Sequence, residues 1–443
     1  MPLSFPKPPP VIPRHLLVPF ILVTTLFALW GFANDITNPM VAAFKNILLI
    51  SNFESSLVQF AFYGGYCFMA VPAALLIKKF NYKFGIVTGL GLYAAGCLLF
   101  VPSGQLMEFW AFLAAYFVMT CGLAFLETSA NPYILSMGEP ETATRRLNFA
   151  QAFNPLGSIT GMFVAKEFIL ARLNPAGEAA RREIREADPV AFEAIQQADL
   201  GVIVGPYLAL GVVVILVLVV FLLVRLPGSG GDIDGGLDLV PTLKRLFGNR
   251  RYLEGVVAQA FYVGAQIMIW TFIIQYAVNE LGLSKEVAQG YNIVAMVIFV
   301  CSRFVCTYLL KYVSPGGLLM ALAAGGVLLT LGVIFLRGFA GLYALVGISA
   351  CMSLMFPTIY GIALRGMGED AKLASAGLIL AIGGGCLMPP LQGAIMDLPA
   401  FELGTFVLSS TRASFVLPLA CFLVIAHFGW RTSAVHDRGA SGV

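Results

Sequence analysis

Long apolar runs, each about 20 residues and so long enough for a helix rising 1.5 Å per residue to cross hydrocarbon, recur along this chain. Twelve are present: Leu16 to Val41, Leu57 to Ile77, Phe84 to Val101, Phe109 to Leu135, Phe149 to Ala171, Gly201 to Val224, Leu253 to Val278, Val287 to Leu310, Gly317 to Leu336, Gly341 to Leu364, Leu373 to Met396 and Ala413 to Phe428. Only 12% of the residues are charged, about half the usual share of a soluble domain, and the mean hydropathy is +0.86. Such a chain cannot cover its own surface with polar groups, so the expected fold is an all-α membrane protein with twelve transmembrane helices.

The same composition excludes other classes. The net charge of +3 comes from scattered basic residues, with no stripe able to follow a phosphate backbone, so no nucleic acid is expected as a partner. The eight cysteines lie in or beside apolar runs without a C-x-x-C pair or a neighbouring histidine, which indicates packing residues and no metal site. No metal-ligand cluster and no Ser/His pair occurs within the runs, so the chain is not expected to be an enzyme.

Orientation follows from the basic residues. Lys7, Arg14, Lys78, Lys79, Lys83, Arg145, Arg146, Arg225, Lys244, Arg245, Arg250 and Arg251 all fall on one side if both termini are cytoplasmic, the side that basic residues favour. The proline-rich start, Met1 to Arg14, then reads as a retained cytoplasmic tail. Asn174 to Leu200 mixes acids and bases at helical spacing and is expected to be an exposed helical loop on the far side. Pro227 to Asn249 is glycine-rich and near the chain's midpoint, which suits a hinge. The expected organisation is a six-helix half over residues 1–226, a linker over 227–251 and a second six-helix half over 252–443. Met137-Gly138-Glu139 and Met367-Gly368-Glu369 echo each other, as do Lys79-Phe80 and Lys311-Tyr312, which fits a duplicated unit.

Of the 24 acidic residues, only Asp35 and Glu127 lie well inside a run. A charge at the bilayer centre costs from about 2.5 to well over 10 kcal/mol, so such residues face a cavity or a partner. Burial favours the neutral form of a carboxyl, and both acids are candidates for taking up and releasing a proton. The other reading of Asp35 is a carboxylate held by Asn34 and Asn38 in a turn broken before Pro39. Amides and aromatic rings recur at helical spacing: Gln59, Tyr63 and Tyr66; Asn148, Gln151 and Asn154; Gln259, Tyr262, Gln266 and Trp270. They mark either a polar pocket suited to hydroxyls and to the apolar face of a sugar ring, or hydrogen bonds between helices. Arg303 is expected at a gate on the cytoplasmic side. Asn131-Pro132 and Phe356-Pro357 are expected bending points, because proline frees a carbonyl one turn back.

Several stretches carry a resemblance: LWGFANDITNP (Leu29 to Pro39), FYGGY (Phe62 to Tyr66), KKFNYKFGIVTGL (Lys78 to Leu90), LETSANPY (Leu126 to Tyr133), RLNFAQAFNPLG (Arg146 to Gly157), AQAFYVGAQ (Ala258 to Gln266), FPTIYGIA (Phe356 to Ala363) and IGGG (Ile382 to Gly385). Together they resemble the fucose/hexose proton symporter family of the major facilitator superfamily. The resemblance implies the major facilitator fold and a sugar symporter with alternating access. It implies proton coupling at Glu127 and at a first-span acid, with the proton as coupling ion and no other cofactor. The family's first-span aspartate falls on Asn38, while Asp35 stands one turn earlier where the family's fucose carrier has asparagine. The acid and the amide have thus exchanged places, and the sugar is left open among L-fucose, glucose, galactose, mannose and N-acetylglucosamine. The expected sugar ligands are Asn38, Asn131, Gln151, Asn154, Gln59, Tyr63, Tyr262, Gln266 and Trp270. The protein is expected to work as a monomer in a bacterial inner membrane. The alternatives are an exporter of amphiphilic compounds and a sugar sensor that does not transport.

Overall fold

A computed structural model describes residues 12–138, 146, 149–151, 153–227, 239–309, 312–365, 367, 371–403 and 406–437. Eleven helices among these residues are long and apolar enough to cross a bilayer. The remaining expected span, the fifth, is described as the helix Phe153–Val164, continued by a π-helical turn over Ala165–Ile169. The fold is thus an all-α bundle of two six-helix halves, numbered here as spans 1 to 12. Its flanks carry exposed Phe68, Leu216, Leu223 and Leu328, the side chains a lipid-facing surface needs.

Side-chain caps set where several spans begin. Span 2 (Asn52–Lys79) opens on a capping box, in which Ser51 Oγ accepts from Glu54 N at 3.0 Å and Glu54 Oε2 accepts from Ser51 N at 2.8 Å. Asn81 caps span 3 (Tyr82–Leu106), and Asn249 caps span 7 (Arg250–Leu281). Ser314, followed by Pro315, starts span 9 (Pro315–Phe335).

Two spans break where proline removes a donor. Span 1 runs as Leu17–Thr37 and resumes as Met40–Leu48 after Asn38-Pro39. Span 10 runs as Phe339–Met352 and resumes as Met355–Leu364 just before Pro357. Within the linker Leu239–Gly248 is a helix, and 228–238, which hold its glycine-rich part, lie outside the described residues. Asn148, Lys311, Gly368 and Glu369 also lie outside them, so the two sequence echoes are not described in full.

A three-dimensional echo is present instead. Gly157 of span 5 lies so close to span 1 that an added Cβ would sit 1.9 Å from Ala28 O. Gly384 of span 11 (Ala371–Leu380, Ala381–Gly383 and Gly384–Met396) makes the same approach to span 7, 1.9 Å from Ala260 O. Equivalent helices of the two halves therefore cross at equivalent glycines.

The far-side loop is more anchored than its charge pattern implied. Helix Glu178–Ala187 does form, but Arg181 is buried and pairs with buried Asp199. Glu178 accepts from Lys45 and from Arg182, each at 2.7 Å. Burial alone would push the Glu178 carboxyl up, but these two cations hold it below its ordinary range. Span 6 (Pro189–Leu223) starts well before the apolar run, capped by Asp188. Span 12 (Val416–Asp437) follows a short turn, Ser410–Ala413, whose buried Arg412 meets Glu280 at 3.2 Å.

The halves meet along a seam between spans 2 and 11. Asp397 receives hydrogen bonds from Asn52 and Phe53, Cys386 Sγ lies 3.4 Å from Phe60 O, and Cys67 Sγ lies 3.8 Å from Leu380 O. Asn52 and Asp397 lie at the face opposite the chain ends, so that face is closed. Toward the face bearing the chain ends, Phe149 and Gln151 of the fifth segment are exposed.

Candidate functional site

Between the halves lies a hollow of about 190 Å³. Spans 1, 2 and 5 supply Asn34, Asp35, Asn38, Tyr63, Asn154, Pro155 and Ser158; spans 7 and 8 (Lys285–Leu309) supply Gln266, Ile267, Trp270, Met296, Phe299 and Arg303. The break at Pro39 places Asp35 and Asn38 here, one turn apart on the same face. Asp35 is 4% exposed, and its Oδ1 accepts from Asn38 Nδ2 at 3.0 Å. Asn34 Oδ1 is buried without a hydrogen-bond partner among the described residues, an acceptor a ligand hydroxyl would satisfy.

Rings close the other walls. Trp270 meets Phe299 edge-on, with centroids 5.1 Å apart, and its indole N–H is already given to Ser349 Oγ at 3.2 Å. What Trp270 offers the hollow is therefore ring surface. Tyr63 stacks on Tyr66 with centroids 6.3 Å apart.

Arg303, expected at a gate, lines the hollow. Its guanidinium lies 4.8 Å from the Phe299 ring and gives Nε–H to Ser353 O at 3.1 Å. Ser353 is one turn before Pro357, so this is the carbonyl that proline leaves without its helical donor. The broken span 10 thus draws a cation to the edge of the hollow.

The other expected ligands divide in two. Gln59 is fully buried beside the hollow, with Nε2 given to Asn38 Oδ1 and to Thr271 Oγ1, both at 3.0 Å. Tyr262 is fully buried and donates to Met352 O at 3.1 Å. Both serve helix contacts here. Glu127, Asn131 and Gln151 form a second polar group: Gln151 donates to Asn131 Oδ1 at 3.2 Å, and Asn131 donates to Glu127 O at 3.1 Å. Glu127 is not among the residues lining the hollow of Asp35. Its Oε2 is buried and without a partner among the described residues, as are Tyr66 OH and Trp30 Nε1.

Sequence reasoning missed Asn34, Ser158, Met296 and Phe299 as lining residues. Ser158 is one turn beyond Asn154, and Phe299 one turn before Arg303, so helical spacing from the residues already chosen would have found both.

The family model of the Major Facilitator Superfamily matches residues 22–383. This chain belongs to the Major Facilitator Superfamily. Within it, the chain is 52% identical over 426 residues to the L-fucose-proton symporter of Haemophilus influenzae, covering 95% of this chain and 98% of that one. It is 30% identical to a glucose/galactose transporter of Brucella abortus, covering 92% of each. A major facilitator transporter solved by crystallography in the outward conformation is 33% identical, with a TM-score of 0.70 over 95% of this chain and 100% of that one. This facilitator therefore has full-length relatives among sugar carriers.

Proposed function

We propose that this facilitator is a proton-coupled symporter that imports a neutral monosaccharide, L-fucose or a related hexose, by alternating access. The observation that carries the reading is Asp35: a carboxylate bound to an amide, in a hollow shared by the two halves and walled by amides and aromatic rings. Amides both donate to and accept from hydroxyls, and ring faces suit the apolar side of a sugar. An exporter of amphiphiles would need an apolar site between the halves, and the hollow there is lined by amides and an acid.

Asn38, Asn154 and Gln266 bind the sugar hydroxyls, with Trp270 and Tyr63 against its ring. Glu127 and Asp35 handle the coupling proton, and Gln151 and Asn131 line the route toward the chain ends. The protein sits in a bacterial inner membrane with both termini cytoplasmic and works as a monomer. The conformation described is then the inward-open one. One proton crossing 100 mV supplies about 2.3 kcal/mol, enough for roughly fiftyfold accumulation at 1.4 kcal/mol per decade.

The test is counterflow in proteoliposomes with L-fucose, glucose, galactose, mannose and N-acetylglucosamine, with external pH recorded. One or two sugars should exchange, and their uptake should make the medium alkaline. Exchange of none of the five in counterflow, or net uptake of an exchanged sugar into empty vesicles without a rise in external pH, would sink the reading.

A further inference from the structure

A chain of buried hydrogen bonds runs from Asp35 across the seam. Asn38 Nδ2 donates to Asp35 Oδ1, Gln59 Nε2 donates to Asn38 Oδ1, and the same Nε2 donates to Thr271 Oγ1, all at 3.0 Å. Asp35, Asn38 and Gln59 belong to one half and Thr271, on span 7, to the other. Exposure is 4% at Asp35, 2% at Asn38 and 0% at Gln59 and Thr271, so the link across the seam is closed off from bulk water.

The chain has a direction. Every amide hydrogen in it points toward an acceptor, as an ionised Asp35, which only accepts, demands. A protonated Asp35 that donates its hydrogen to Asn38 needs Asn38 Oδ1 turned toward it. Asn38 then presents Nδ2 to Gln59, two donors would face each other, and the Gln59 amide must turn as well. In the turned state Gln59 Oε1 accepts from both Asn38 and Thr271. That oxygen is buried without a partner in the state described. Each polarity strands one end of the Gln59 amide, so the count of bonds favours neither; ionised Asp35 permits only the first, and a proton on Asp35 admits the second.

We infer that Gln59 and Thr271 are positioning residues that carry the charge state of Asp35 across the seam: when Asp35 gives a proton to Asn38, both amides turn and the one bond of this chain that joins the halves reverses, Thr271 changing from acceptor to donor. The link lies about two helical turns inside the closed face, where opening must part spans 2 and 7. The other titratable or charged groups at the hollow are Tyr63 of span 2 and Arg303 of span 8; Glu127 of span 4 (Phe109–Ser136) lies off it, toward Tyr66. This inference rests on the symport reading and adds its coupling route.

The experiment compares Thr271→Val and Thr271→Ser in full-length protein in proteoliposomes, using as probe the sugar of the five that exchanges fastest in the wild type. Counterflow reports binding and rocking; alkalinisation per sugar taken up reports coupling. Thr271→Val, which keeps the shape and loses the hydroxyl, is expected to retain counterflow while proton uptake per sugar falls about fivefold or more, the lower range of coupling between sites. Thr271→Ser is expected to restore it. The inference is overturned if Thr271→Val keeps the wild-type proton ratio, if counterflow and proton uptake fall together, or if Thr271→Ser behaves like Thr271→Val. Absence of sugar-linked proton uptake in the wild type itself would instead overturn symport, before any variant is compared.

Discussion

Asp397 of span 11 caps span 2 of the opposite half through Asn52. Its Oδ1 accepts from Asn52 N at 2.9 Å and from Asn52 Nδ2 at 2.7 Å, and its Oδ2 accepts from Phe53 N at 2.8 Å. A carboxylate at a helix N-terminus satisfies donors that have no partner within the helix and meets the positive end of its dipole. Because cap and helix belong to different halves, the stabilisation exists only while this face is closed.

Asp397→Ala is therefore expected to shift the protein toward the state open at this face. Losing a cap costs about 0.5 to 2 kcal/mol, which moves the closed-to-open ratio roughly two- to thirtyfold at 1.4 kcal/mol per decade. Spin labels at Phe53 and Ala400, with the native cysteines replaced, should show a larger population of long distances. Asn52→Ala, which removes one of the three bonds, should shift it less. An unchanged distance distribution in Asp397→Ala would show that the cap does not hold this face shut.

Glu127→Gln is expected to separate exchange from accumulation. The amide keeps the size of the carboxyl and cannot release a proton. Counterflow should survive, while concentrative uptake driven by a pH gradient should fall from its limit of roughly fiftyfold per 100 mV to none. Undiminished accumulation in Glu127→Gln would rule Glu127 out as the coupling acid. Accumulation lost in Asp35→Asn alone would move that role to the hollow.

The spans were legible because lipid leaves little choice: every crossing must be a helix of apolar residues. Asp35 and Asn38 were legible as neighbours for the same reason, since i and i+3 share a face. The partition of the amides was not. Gln59 follows the helical stripe of Tyr63 and Tyr66, yet span 7 covers it, and no spacing within one helix records which neighbour lies opposite. The partner of Arg303 is a carbonyl freed by a proline in another span, which spacing along span 8 does not record. Glu127 was grouped with Asp35 by chemistry, and only the packing of spans 1, 2 and 4 sets the two apart. Helix Glu178–Ala187 was legible, but the burial of Arg181 depends on Asp199 of the next helix, which the turn at Asp188 folds back against it.

Gly157→Ala is expected to destabilise the first half. A methyl there would lie 1.9 Å from Ala28 O and 2.7 Å from Ala28 C, so spans 1 and 5 must separate. Overpacking of this kind costs about 1 to 3 kcal/mol. Gly205→Ala is the control, because nothing lies within 4 Å of its added carbon and alanine is the better helix former by about 1 kcal/mol. Thermal unfolding in detergent should place Gly157→Ala below the wild type and Gly205→Ala at or above it. Equal melting of the two variants would show that the close crossing carries no stability.

The far-side helix Glu178–Ala187 should loosen in acid, with the sign set by Glu178. Burial works against its charge, and the hydrogen bonds from Lys45 and Arg182 outweigh that and hold the carboxyl below its ordinary value of 4.5. A carboxyl depressed in the folded state stabilises that state fully above the ordinary value, and the contribution is lost as pH falls through the depressed one. At pH 7 the Lys45 link ties the helix to the end of span 1. Below about pH 4 it should weaken. Hydrogen exchange across residues 178–187, corrected for the intrinsic pH dependence, should show less protection in acid. Glu178→Gln should lower protection at pH 7 and remove its pH dependence. Protection that falls equally in wild type and Glu178→Gln would assign the acid response to another group.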